Sequence, residues 1–236
     1  MKKTTSPKGQ AGAAANLAAL IDHTFLKPAG DKAAVAALCD EAKQFGFASV
    51  CVNPCEVEGA ARRLRGSGVK VCTVIGFPLG ANTNRTKCFE AADAIQGGAD
   101  ELDLVVNQRL LKFAPAKCEA ELQQWVRTCR TFRSDVVLKL ILECCNLTKA
   151  EIVRGCKIAK KVGFDFVKTS TGFGAGGATV EDVALMRRTV GPKMGVKAAG
   201  GIRSRQDMID FLEAGCDRLG TSSAVKILCG EAGAGY

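Results

Sequence analysis

Histidine, tryptophan and tyrosine occur once each in this 236-residue chain. One histidine, His23, is too little material for a Ser-His-Asp triad or a multi-histidine metal centre. Set between Asp22 and Thr24, it reads as a hydrogen-bonded structural residue. The aromatic shortage also counts against single-stranded nucleic acid, whose bases need stacking platforms. Lys and Arg outnumber Asp and Glu by 33 to 24, a net charge of +9, yet they fall in short pairs such as Arg62-Arg63, Lys160-Lys161 and Arg187-Arg188. With no basic block, that surplus fits a small anion such as a phosphate ester better than nucleic acid. No run reaches the ~18 apolar residues of a membrane span. Neither nucleic acid nor membrane is therefore expected as a partner.

Twelve cysteines are present, in apolar contexts such as Val50-Cys51, Val71-Cys72 and Gly215-Cys216. No apolar signal segment precedes them, so reduced thiols in a cytoplasmic enzyme are expected. Cys51 and Cys55 have a C-x3-C spacing, but no second pair and no histidine set completes a metal site; no metal and no cofactor are expected. Residues 1–16 read as a flexible tail ahead of one catalytic domain over 17–236, with a mobile end from about 229.

From Leu20 onward, short apolar runs alternate with longer amphipathic stretches. The strand candidates are 20–26, 49–53, 70–77, 101–107, 136–143, 164–171, 195–200 and 218–221. Helical patterns cover 31–45, 84–96, 117–131, 148–162, 179–190 and 204–214. Thr148 with Glu151 and Thr179 with Asp182 supply capping chemistry, and Gly46, Gly98, Gly163 and Gly215 suit left-handed helix stops. Strand-helix alternation requires parallel pairing through crossover helices. Eight such units close into a single (β/α)8 TIM barrel, an α/β fold; an open doubly wound sheet is the competing arrangement.

Four successive strand candidates carry a charge inside an apolar run: Asp103, Lys139, Lys168 and Lys197. Burying an unpaired charge costs several kcal/mol, so four in a row point to convergence on one interior pocket. A desolvated lysine beside other cations loses its proton more readily and can attack a carbonyl. On this reading Lys168 is the nucleophile, Lys197 the perturbing cation and Asp103 the proton shuttle. Even with Asp22 added, the lysines leave positive charge that wants a neutral amine or an anionic ligand. A neutralised network with no chemistry is the plain alternative.

Three glycine-rich segments follow the last strands: 171–177 (TGFGAGG), 199–204 (AGGIRS) and 220–223 (GTSS). Backbone N–H groups in such loops, with a helix N-terminus behind them, cradle anions, and phosphate sites in this fold favour the loops after strands seven and eight.

At this point the residues resemble deoxyribose-phosphate aldolase. The segments LIDHTFLKP (20–28), VCVNP (50–54), TVIGFPLGANT (73–83), ELDLVVN (101–107), DFVKTSTGFGAGGAT (165–179), VKAAGGIR (196–203) and LGTSSAVKIL (219–228) carry the resemblance. It implies reversible cleavage of 2-deoxy-D-ribose 5-phosphate to D-glyceraldehyde 3-phosphate and acetaldehyde, in deoxyribonucleoside catabolism, without metal or cofactor. Carried onto matching positions, Lys168 forms the Schiff base, Lys197 lowers its pKa and Asp103 relays protons. Gly172, Gly200, Gly201, Ser222 and Ser223 line the phosphate site; Asp22, Cys51, Lys139 and Thr171 join the substrate-binding set. A terminal tyrosine is associated in the family with proton transfer at the acetaldehyde methyl carbon, which makes Tyr236 a catalytic candidate. Departures from the family pattern lie at Gln108 and at Cys144-Cys145, near the expected barrel rim. Rival readings are a Schiff-base aldolase or transaldolase for another sugar phosphate, and a non-catalytic binder of a phosphorylated ligand. A homodimer is an open expectation, with no interface legible in the sequence.

Overall fold

The computed structural model describes residues 17–233; the expected N-terminal tail and Tyr236 lie outside the described residues. Eight parallel strands close in chain order: β1 (Ile21–Phe25), β2 (Ser49–Val52), β3 (Lys70–Ile75), β4 (Glu101–Val105), β5 (Val137–Ile141), β6 (Phe166–Lys168), β7 (Gly195–Ala199) and β8 (Arg218–Thr221), with β8 paired to β1. The doubly wound alternative fails because the sheet has no free edge. This is a (β/α)8 TIM barrel.

The crossover helices follow from local chemistry. α1 (Lys32–Phe45) starts where Asp31 accepts the Ala34 N–H and stops at Gly46 in the left-handed conformation. α2 (Val57–Leu64) and α3 (Asn84–Gln96) follow β2 and β3. α4 (Gln108–Phe113), capped by Asn107, and α5 (Pro115–Phe132) both follow β4. α6 (Lys149–Val162) opens on the capping box of Thr148 and Glu151 and ends at left-handed Gly163. α7 (Val180–Val190) is capped by Thr179, and α8 (Arg205–Glu213) by Ser204 in a box with Asp207; α9 (Ala224–Leu228) follows β8. The sequence reading lacked α2, α4 and α9, all of eight residues or fewer, too short to show two full periods.

Most strands end one to three residues earlier than their apolar runs suggest, β6 by the most. β6 stops at Lys168 and β5 at Ile141; Leu142, Cys144 and Thr169 still donate to the Lys168, Thr169 and Lys197 carbonyls, and the rim is built where Glu143 turns to φ 56° and the Thr171 N–H bonds the Glu143 side chain. After α9 the chain folds back, and the Gly233 N–H donates to the Arg203 carbonyl at 2.7 Å.

Most apolar side chains lie between the outer faces of the strands and the helices. A smaller interior cluster joins Leu26, Cys51, Cys72 and Val74. None of the twelve cysteines is in a disulfide. Among the described residues, no helix is long and apolar enough to cross a membrane.

Candidate active site

Side chains alternate along a strand, so register decides what meets inside the barrel. Lys168 stands opposite Lys197, Asp103 opposite Lys139, Lys197 opposite Arg218 and Cys51 opposite Cys72. Odd-numbered strands contribute Asp22, Cys72, Lys139 and Lys197; even-numbered strands contribute Cys51, Asp103, Lys168 and Arg218. Between these inward positions stand outward leucines and valines, which fix the register by burying themselves under the helices.

Asp103 is the hub. Its Oδ2 accepts from Lys168 Nζ and from Lys197 Nζ, each at 2.8 Å, and its Oδ1 accepts from Lys139 Nζ at 2.8 Å and from the Cys72 thiol at 3.2 Å. Lys197 Nζ also lies 2.5 Å from Asp22 Oδ2, and Lys139 Nζ 2.5 Å from Glu101. Arg218 closes the cluster from below, 2.6 Å from Asp22 and 3.2 Å from Glu101. Ser49 donates to Asp22 at 2.7 Å. All these residues but Arg218 are buried.

The electrostatics follow from those contacts. Burial alone would raise the pKa of Asp103, but Lys139, Lys168 and Lys197 outweigh it and hold the carboxyl well below the carboxylate range. Asp22 is likewise depressed, burial being outweighed by Lys197, Lys139 and Arg218. Burial would lower Lys197, yet Asp103 and Asp22 together raise it, so it stays an ammonium. Lys139 is raised well above its usual value for the same reason. The sequence reading set Lys168 and Lys197 side by side as a like-charge pair; the structure places a shared carboxylate oxygen between them. Lys139, Lys168, Lys197 and Arg218 face Asp22, Glu101 and Asp103: four cations against three carboxylates, one positive charge in excess.

Above this floor a cavity of about 240 Å³ opens at the C-terminal ends of the strands. Lys168 reaches its wall, alone among the three lysines of the ion cluster; Thr171, Gly172, Gly200, Gly201, Ser222 and Arg203 are among the other lining residues. Gly200 and Gly201 both have positive φ, 77° and 80°, which glycine adopts without strain. A Cβ on Gly177 would lie 2.4 Å from the Gly200 carbonyl, so the 171–177 and 199–204 loops touch through bare backbone. Phe77 meets Phe173 edge to face at 5.2 Å. The loop bearing Phe77 is held by Lys87, a buried ammonium that donates to the Gly80 and Val105 carbonyls at 2.6 and 3.2 Å; its burial lowers its pKa.

The structure thus brings Lys168, Lys197 and Asp103 together, and brings Thr171, Gly172, Gly200, Gly201 and Ser222 to one cavity. Asp22, Lys139 and Cys51 lie off the cavity wall, buried in the interior beside that trio. Ser223 is also off the wall, its N–H bonded to Thr221 Oγ1 at 3.1 Å. Interaction with the Cys72 sulfur lowers the pKa of Cys51 against the effect of burial, and burial raises that of Cys72. Glu101, Arg218, Cys72, Arg203 and Glu143 escaped the sequence reading. Glu101 was within reach of it, since it stands two residues before Asp103 and so shares its inward face. The groups Cys51, Cys72, Asp103 and Asp22, Cys72, Glu101 have metal-like spacing, but their carboxylates already hold lysine and arginine partners.

This architecture matches known proteins over nearly its whole length. The family model described as DeoC/LacD family aldolase matches residues 16–230. Deoxyribose-phosphate aldolase from Thermoanaerobacter sp. (strain X514) is 52% identical over 214 residues, 90% of this chain and 96% of that protein. The enzyme of the same name from Streptococcus sanguinis is 54% identical over 215 residues, 91% and 96% of the two chains. The tetrameric deoxyribose phosphate aldolase structure from Aeropyrum pernix superposes with a TM-score of 0.86 at 35% identity, covering 92% of this chain and 91% of that one. With a cation cluster under a glycine-lined cavity, and with these relatives, the chain belongs to the DeoC/LacD family of aldolases.

Proposed function

We propose that this aldolase cleaves 2-deoxy-D-ribose 5-phosphate reversibly to D-glyceraldehyde 3-phosphate and acetaldehyde through a Schiff base on Lys168. One observation carries the reading: Lys168 alone of the buried lysines lines the cavity while sharing an Asp103 oxygen with the ammonium of Lys197. Its neutral amine adds to the C1 carbonyl of the open-chain sugar, and the carbinolamine loses water to give an iminium ion. As the C3 hydroxyl gives up its proton, the C2–C3 bond breaks and its electrons pass to the iminium. Glyceraldehyde 3-phosphate departs and an enamine remains. Protonation of the enamine carbon and hydrolysis then release acetaldehyde and return the amine. Asp103, in contact with Lys168, carries protons in these steps. Lys197 supplies fixed positive charge, held in place by Asp22, while Lys139, Glu101 and Arg218 complete the ion network around it.

The phosphate takes the far end of the cavity, where Gly172, Gly200, Gly201 and Ser222 offer backbone donors and Arg203 a charge. Ser223 supports this turn through Thr221. Cys51 stands beside the reacting groups as a small packing residue. For Tyr236, reach is the argument: three residues span at most about 10 Å, and Gly233 is tied to Arg203 on the cavity wall. On that tether the phenol is assigned to proton transfer at the enamine carbon. The cytoplasm is the compartment consistent with twelve unpaired cysteines, and self-association, a homodimer at the least, is consistent with the tetrameric Aeropyrum relative.

Purified protein should release glyceraldehyde 3-phosphate and acetaldehyde from deoxyribose 5-phosphate, and should leave ketose phosphates uncleaved. Cleavage of a ketose phosphate instead would assign it to the rival sugar-phosphate aldolases. No cleavage of either would favour a binding protein.

A further inference from the structure

Glu143 is the one non-glycine residue among those described with positive φ. It follows β5 and is buried to 6% exposure, yet no cation is paired with it among the described ion pairs. Its carboxylate is turned instead chiefly on Thr171 of the next strand's loop, with the Cys145 thiol 4.0 Å from Oε1 as a further donor. Oε1 accepts the Thr171 N–H at 3.2 Å, and Oε2 accepts the Thr171 hydroxyl in a short bond. Thr171 Oγ1 in turn accepts the Phe173 N–H at 3.0 Å. A Cβ on Gly174 would stand 3.0 Å from Glu143 Cδ, so the loop wraps closely around the carboxylate.

The backbone of Glu143 is fixed as firmly. Its carbonyl accepts from Gln108 Nε2 and from the Asn146 N–H, each at 3.1 Å, and the next residue's N–H donates to Thr169 O at 2.9 Å. A residue so held, in a conformation that side chains disfavour, aims its carboxylate at one place. That place is Thr171, which lines the cavity three residues after Lys168 and begins the glycine loop.

We propose that Glu143 is a positioning residue for the phosphate subsite: through Thr171 it sets the course of the 171–177 loop, and with it the seat of the substrate's phosphate, without touching the reacting carbons. This rests on the substrate reading above. Replacing the carboxylate by an amide leaves one acceptor oxygen for two Thr171 donors, so one bond to a charged acceptor is lost, worth roughly tenfold in an equilibrium constant.

The test compares deoxyribose 5-phosphate with unphosphorylated 2-deoxyribose in Glu143→Gln. The KM for the phosphorylated sugar should rise about tenfold, while kcat/KM for the unphosphorylated sugar, which does not use the subsite, should change less than about twofold. Thr171→Val removes the hydroxyl and keeps the N–H; it should shift the ratio between the two sugars in the same direction, and the double variant should be no worse than the more severe single one. If Glu143→Gln does not fold, Thr171→Val carries the test by its own ratio. Equal losses on both sugars, an unchanged ratio, or additive effects would overturn the proposal. Wild-type protein inactive on deoxyribose 5-phosphate would instead remove the substrate reading, so the two failures are separable.

Discussion

The two faces of the same eight strands obey opposite rules. Outward, Leu102, Leu104, Leu138, Leu140, Val167 and Val196 are buried under helices as an ordinary apolar layer. One residue along, the inward face holds Glu101, Asp103, Lys139, Lys168 and Lys197, also buried, where a barrel of this class is ordinarily filled by branched apolar side chains. The outer layer stabilises by area removed from water. The inner one repays desolvation only through its mutual ion pairs, and a buried ion cluster is weak evidence for stability. A strand that carries both layers separates the folding task from the chemical task by its twofold alternation.

Breaking the inner layer should therefore have the largest effect on rate. Lys197→Leu lowers the interior count to three cations and three carboxylates and removes the surplus charge beside Lys168. It is expected to cut kcat/KM for deoxyribose 5-phosphate at least about a hundredfold, the usual loss when a fixed charge is taken from a site, with a cooperative unfolding transition retained. Activity near the wild-type level at neutral pH would show that Lys197 is only a structural counter-ion.

The outer layer should respond in the opposite sense. Leu138→Ala, one residue from Lys139 and fully buried, is expected to cost about 2–5 kcal/mol of unfolding free energy, read by denaturant titration. KM should stay within about twofold of wild type, the scatter of a change that leaves the site's contacts in place. A large loss of activity in a fully folded Leu138→Ala protein would mean that the two faces are coupled through the strand.

The separation also explains what was legible in the sequence. Charges interrupting apolar runs gave away Asp103, Lys139, Lys168 and Lys197, because an unpaired charge has no reason to sit in a core. Strand-helix alternation gave the barrel, and the caps at Thr148 and Thr179 gave two helix starts. Glu101 and Arg218 begin their strands, where a charge reads as ordinary loop boundary; twofold spacing from Asp103 places Glu101 on the inward face, whereas only the closed barrel shows that Arg218 points inward. Like-charge proximity was anticipated for Lys168 and Lys197, but the shared Asp103 oxygen depends on register across four strands, which no local pattern encodes. Glu143 looked like the last residue of a strand, since its left-handed backbone leaves no trace in residue type.

The central claim is that, of three lysines buried in one ion cluster, only the one reaching the cavity is the nucleophile. Borohydride reduction in the presence of acetaldehyde, followed by peptide mass spectrometry, tests it directly. The account predicts a stable two-carbon adduct on Lys168, with Lys139 and Lys197 unmodified; an adduct on either of those two, or an unmodified Lys168, would contradict it.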